Sequence, residues 1–346
     1  MGINHRIGIL FAGLLSLALA QSCSKDVTGQ DSVYPEVLVL FSPDGLGDLA
    51  YNDEVLRGIE LFMNEDDINF YLSFMSPTDH EIAEFLIRQW WDERDATYTD
   101  GGPVPRKLLV LADGGYADIA RAIVDPALIS KDLSVIAFET GPTADASDPL
   151  ITFELSMYGA SWLAGRTARE LGCRQPLVIL GDGSNTLTFK GRDGFTDGFQ
   201  GDVPAEAMAS DWQGYCMPMD AYRMMYDYDG RFDFIYPIAG GTNMGIYRYL
   251  RENPGCGIYT SGMDVDQSPY STLITGSLVK HIDLVVCDYL KKWYDKADMP
   301  HHQVFGLESG YVDWVIPERY SYLDAAVGPL RQEAIEKEKA YGKGGK

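Results

Sequence analysis

Short apolar runs recur along the chain, each ending in a loop of small and acidic residues and followed by an amphipathic stretch. The runs are EVLVLFSP (36–43), INFYLSFMS (68–76), KLLVLADGG (107–115), LSVIAFETG (133–141), LITFELS (150–156), PLVILGDGS (176–184), FDFIYPIAGG (232–241) and GCGIYTSGMD (255–264). Runs of this length, rich in Val, Ile, Leu and aromatics, predict strands buried on both faces. Between them, helices are predicted over 51–65, 80–93, 117–124, 158–171, 219–228 and 243–252. A longer one is expected over 268–293, with Leu273, Ser277, Lys280, Leu284 and Cys287 on one face. Strand alternating with helix implies parallel sheets covered on both sides.

Eight strands are about twice what one small sheet needs, so the pattern predicts two doubly wound parallel-sheet lobes. The stretch ETGPTADASDPL (139–150), rich in Pro, Asp and Ser, is read as the break. The expected division is 36–148 with 265–298 for the first lobe and 149–264 with 299–330 for the second. A polar tail, 331–346, is read as a helix fading into a flexible end. Polar residues gather just after the strands: Asp44, Asp48, Thr78, Asp79, Asp113, Glu139, Asp182, Thr242, Asn243, Asp264 and Asp266. In open parallel sheets, ligands bind outside the carboxyl ends of the strands, which places a site in a cleft between the lobes.

Composition narrows the partner. The 346 residues carry a formal net charge of −23, which argues against nucleic acid or an anionic membrane surface as the main partner. Residues 1–23 read as an export signal: Arg6 precedes the apolar IGILFAGLLSLALA, a segment too short to span a bilayer. Cleavage is expected either after the A-x-A formed by Ala18 and Ala20, or before Cys23, which would then carry the lipid of a lipoprotein. Residues 24–35 read as a polar tether. Four further cysteines, Cys173, Cys216, Cys256 and Cys287, permit three disulfide pairings or four free thiols. No C-x-x-C spacing suggests zinc, and no metal or cofactor is expected.

The chain carries no G-x-S-x-G, no H-E-x-x-H and no P-loop spacing. The loop FSPDGLGDLAYND (41–53) has glycines but no Lys or Arg, so it would repel a phosphate. Its carboxylates suit a neutral, hydroxyl-rich ligand, because an ionised Asp accepts two hydrogen bonds from vicinal hydroxyls. Tyr51 offers a ring on which a flat heterocycle can stack. Turn formation and helix capping are the alternative use for Asp44 and Asp48.

Residues 36–315 resemble the basic membrane protein (BMP) family of bacterial substrate-binding lipoproteins, whose best-understood members are purine nucleoside receptors of ABC importers. The resemblance rests on DGLGDLAYN, ITFELSMYGASWLAG, FDFIYPIAGGTNMG, GMDVDQ and SLVKHID, in that order. It implies a type I periplasmic-binding-protein fold, with two lobes joined by a three-crossover hinge and a ligand in the hinge cleft. By residue, it implies that Tyr51 stacks on a base and Asn52 bonds its edge. Asp264 would hold ribose hydroxyls, Lys280 would reach the ligand or brace Asp264, and Gly241 would lend its backbone. With Asp44, Asp48 and Asp113, these form the expected site. The second-lobe stretch GDGSNTLTFKG departs from the family pattern. Thr186 stands at its Pro position and Gly191 at its Phe position, which leaves Phe189 as the second ring; Glu154 replaces a basic residue. The resulting expectation is a non-enzymatic, monomeric solute receptor, exported and lipid-anchored. It would take a nucleoside-like ligand and serve importer permease subunits. An exported nucleoside hydrolase using an Asp cluster is the alternative. A transcriptional regulator of similar fold is disfavoured by the export signal.

Overall fold

The computed structural model describes residues 34–65, 68–97, 105–123, 133–142 and 150–344. The export signal, Cys23, nearly all of the tether and the 143–149 stretch lie outside the described residues.

Two six-stranded sheets organise the chain. The first is built from β1 (Glu36–Leu40), β2 (Tyr71–Met75), β3 (Lys107–Leu111), β4 (Leu133–Phe138), β5 (Leu150–Leu155) and β11 (His302–Phe305). Its spatial order is β11-β5-β4-β3-β1-β2. The second holds β6 (Pro176–Asp182), β7 (Ala205–Ala209), β8 (Phe234–Ile238), β9 (Tyr259–Asp264), β10 (Ile274–Lys280) and β12 (Val312–Val315), in the order β12-β10-β9-β8-β6-β7. Pairing is parallel except where β12 runs antiparallel to β10. The chain changes sheet after β5, after β10 and after β11, which makes three crossovers.

All eight strands expected from the apolar runs form. The lobes, however, divide elsewhere. β5 and β11 belong to the first sheet and β10 to the second, so the crossovers fall later than the expected boundaries. The Pro- and Asp-rich stretch before β5 joins two neighbouring strands of one sheet. The long helix expected over 268–293 is also corrected: Ile274–Lys280 is a strand, and the helix is Ile282–Tyr294. A seven-residue mixed run that is buried at nearly every position reads the same in either form, and here pairing with β9 and β12 decides. Lys280 therefore ends a strand and does not share a helix face with Leu273.

Helices cover both sheets. The helix Thr186–Phe199, which is not among the expected ones, packs on Tyr158–Glu170. Its glycines are contact points: a methyl at Gly198 would lie 2.0 Å from the Trp162 carbonyl oxygen, and one at Gly194 would lie 2.3 Å from that of Tyr158. The tail is fastened instead of fading. In the helix Arg331–Lys343, Glu338 accepts hydrogen bonds from Ser156 Oγ (2.9 Å), Gly159 N (3.0 Å) and Leu307 N (2.8 Å). Tyr341 stacks on Tyr158 with centroids 4.4 Å apart. Cys173, Cys216, Cys256 and Cys287 are free thiols. Among the described residues, no helix is long and apolar enough to cross a membrane.

Candidate functional site

The loop after β1 is held by its own side chains. Asn52 is fully buried, accepts from Ser42 N (3.2 Å) and donates to Ser42 Oγ (2.7 Å) and Gly45 O (3.0 Å). Asp48 accepts from Ala50 N (3.0 Å), Asn52 N (2.8 Å) and Asp53 N (3.2 Å) at the start of the helix Tyr51–Met63, where the helix dipole favours an anion. Asp53 takes Gly47 N and Leu49 N. The turn thus spends most of its amides on its own carboxylates, with Gly45 N donating to Ser42 O, and it presents Asp44, Asp48 and Tyr51 to the cleft.

The cleft gathers strand ends from both sheets. The first lobe contributes Asp44, Asp48, Tyr51, Asp113 and Glu139; the second contributes Asp264 and Lys280 from β9 and β10. Lys280 Nζ lies 2.8 Å from Glu139 and 3.5 Å from Asp264 and is almost completely buried. Glu139 also accepts from Leu155 N at 3.1 Å. Both carboxylates stand on left-handed backbone, φ 48° at Glu139 and 67° at Asp264, a conformation that costs a non-glycine residue energy and is found where a site requires it. Lys280 also faces the Tyr51 ring, 5.6 Å from its centroid. The Tyr51 hydroxyl is buried without a hydrogen-bond partner, although the residue lines the cleft.

The lining carries five carboxylates and one amine, and its electrostatics follow from that excess. Burial pushes the Asp113 carboxyl up to about 6. Its bond from Gly115 N (2.7 Å) opposes the shift, and Glu139 and Asp44 reinforce it. Burial likewise raises Asp48 to about 6 against three amide donors. Asp44 is raised by burial, with partial relief from the Cys216 thiol and Gly241 N–H that bond it. Asp264 is raised by burial despite Lys280. Burial alone would lower Lys280, but Glu139 and Asp264 outweigh it and hold the amine charged. The cleft is therefore rich in acceptors, and its one cation is already engaged.

Of the expected site residues, Asp44, Asp48, Tyr51, Asp113, Asp264 and Lys280 meet in this cleft. Three do not line it. Asn52 braces the loop, as described above. Gly241 reaches the cleft only through its N–H to Asp44, while Gly240 forms the wall. Phe189 packs against the core beneath the Arg192 guanidinium, 4.5 Å away, because Leu187 and Thr188 occupy the inward face of their helix. Glu154 is buried and bonds Lys190 at 2.5 Å. Asp266 turns away to Ser268 N and Ser277 Oγ. The expected site left out Glu139, although it stands among the strand-end acids, and missed Asn185, Trp212 and Tyr215. Asn185 caps the helix Thr186–Phe199 and donates to the Tyr215 hydroxyl at 3.1 Å. Trp212 and Tyr215 lie in one short 3-10 turn, Trp212–Cys216, and add two rings from the second lobe to the lining. Their signal was visible in SDWQGYC, an Asx-capped aromatic pair just past a strand. Among the described residues, no group of His, Cys, Asp and Glu is placed to hold a metal ion.

No protein-family model matches the chain, and no curated protein matches it in sequence. Solved structures match its fold. An ABC-transporter solute-binding protein from Aeropyrum pernix K1 is 18% identical with a TM-score of 0.64, covering 89% of this chain and 86% of that one. A transcriptional activator of the comK gene from Bacillus halodurans is 14% identical with a TM-score of 0.60, covering 86% and 98%. A periplasmic binding protein/LacI transcriptional regulator from Alkaliphilus metalliredigens, complexed with D-xylulofuranose, is 16% identical with a TM-score of 0.57, covering 81% and 97%. The chain has the type I periplasmic-binding-protein fold, two parallel-dominated α/β lobes around a cleft.

Proposed function

We propose that this chain is an extracytoplasmic solute receptor of the BMP kind. It closes two lobes on a small hydroxyl-rich ligand, a nucleoside on the resemblance, and presents it to the permease of an ABC importer. The observation that carries the reading is the convergence of Asp44, Asp48, Asp113 and Tyr51 from one lobe with Asp264, Lys280 and Tyr215 from the other on one cleft. Acceptors on both sides suit sugar hydroxyls, and rings on both sides suit a flat base. Contacts from both lobes supply the differential affinity that closure needs. The acceptor excess disfavours phosphorylated or carboxylated ligands. Cys23 would anchor the protein as a monomer on the outer face of a membrane, in the periplasm or at the cell exterior.

The test is native mass spectrometry of solute carried through purification, followed by calorimetry with inosine, adenosine, galactose and xylose. One saturable nucleoside isotherm is expected. A pentose or hexose isotherm alone would keep the receptor and remove the nucleoside. The hydrolase alternative draws on Asp48 and Asp113, whose carboxyls at about 6 suit proton transfer. Any release of free base from inosine would remove the receptor reading.

A further inference from the structure

The crossovers leave β5, β11, β10 and β12 on the hinge side of the two sheets, and β2 and β7 at the opposite edges. Contacts just beyond β2 and β7 therefore act on lobe opening with the longest lever. Trp212 opens the turn after β7, and His80 opens the helix His80–Thr97 after β2. Their rings lie 4.5 Å apart. Tyr116 meets the indole edge-on at 5.8 Å and lies 6.2 Å from the His80 ring, so the three rings form one cluster. Gly115 completes the slot, since a methyl there would sit 3.2 Å from Trp212 Cε3. A side chain of the second lobe is thus packed on a buried cluster of the first, the one containing Leu40, Leu111 and Tyr116. The same indole lines the cleft.

We propose that Trp212 is a cross-lobe latch: docked against His80, Gly115 and Tyr116, it holds the lobes closed and forms the outer wall of the cleft. Ligand selection would then depend on it twice. It bounds the length of guest that fits, and it weights the closed state before any guest contact is counted. The other contacts between the lobes do not make it redundant. Lys280 with Glu139 lies beside a crossover, where opening moves atoms least, and Asp44 meets Cys216 and Gly241 through polar bonds that water can replace.

The inference rests on the two-lobed fold and not on ligand identity, so its test uses ligand-free protein and leaves the receptor reading untouched. Small-angle scattering would compare wild type with Trp212→Ala and His80→Ala, after circular dichroism has confirmed that each is folded. Two ring contacts shift the closed-to-open ratio by about tenfold. Both variants should therefore scatter with a larger radius of gyration, by about 1 Å over the ~20 Å of a compact chain this long. The double variant should open no further than Trp212→Ala alone, because the two residues share one contact. His80 is exposed, so His80→Ala keeps the test alive if Trp212→Ala does not fold. Scattering of His80→Ala identical to wild type would overturn the latch. Opening in Trp212→Ala without opening in His80→Ala would overturn it equally, since the indole would then act without its partner ring.

Discussion

Asp113→Asn isolates what it costs the fold to keep an ionised carboxylate in the cleft. In the folded protein the Asp113 carboxyl is raised by burial from its ordinary 3.8 to about 6. At 1.36 kcal/mol per pH unit, that difference is about 3 kcal/mol against the folded state once the group is ionised. The sign follows from proton binding. Between about pH 4 and pH 6 the folded chain holds a proton that the unfolded chain has released, so stability falls as pH rises through that window. Above it the whole penalty is present; below about pH 4 it is absent. Asn carries no charge at any of these pH values, and its Oδ1 can still accept from Gly115 N, now 2.7 Å from the carboxylate. Asp113→Asn should therefore be about 3 kcal/mol more stable than the parent at pH 8 and nearly equal to it at pH 4. Urea unfolding at whole-pH intervals, extrapolated linearly, reads the difference. The other buried acids are present in both proteins and largely cancel. A gap that does not change with pH, or a less stable variant at pH 8, would refute the reasoning. Ligand affinity should fall in the same variant, which would make the carboxylate a feature kept for binding at the expense of stability.

Lys280→Met should destabilise by about 3–5 kcal/mol at pH 7, because it leaves Glu139 and Asp264 buried without a cation; chemical denaturation checks this, and the loss should shrink on acidification. Tyr51→Phe should melt no lower than the parent, since the hydroxyl it removes is buried without a partner, yet it should bind ligand more weakly by calorimetry if that hydroxyl meets the guest. Glu338→Ala should lower stability by about 2–3 kcal/mol through three lost bonds to a carboxylate, seen as a fall in the thermal midpoint with ligand affinity unchanged.

Where burial on both faces writes a plain apolar run, the fold was legible. EVLVL and PLVILGD are unambiguous strands, and both form. The weak strands are those whose pattern serves something else. β7, AEAMA, is a half-exposed edge, and β12 is four residues long. ITGSLVK merges with the following helix in any apolar window, so only its pairing partners reveal a strand. The helix Thr186–Phe199 was not among the expected ones; its glycines at 194 and 198 let two helices touch backbone to backbone. In the site, acids placed after strands were readable one by one. What could not be read is which of them meet. Asp48 in the loop and Asn52 in the first turn of the following helix are four residues apart, and one became part of the wall while the other became a brace. Glu139 was visible as a strand-end acid, but its partnership with Lys280 spans 141 residues of chain. Trp212 carries no periodic signal, because its burial comes from the opposite lobe.

The fastening of the helix Arg331–Lys343 by Glu338 and Tyr341 has a practical corollary. The described chain enters through β1 on one half of the molecule and leaves from a helix clamped to the other. Fluorophores fused ahead of β1 and behind that helix would ride on separate halves, and energy transfer between them would track their rotation in real time. Every cleft side chain would remain native, so the protein is already laid out as an optical gauge for whichever solute it takes.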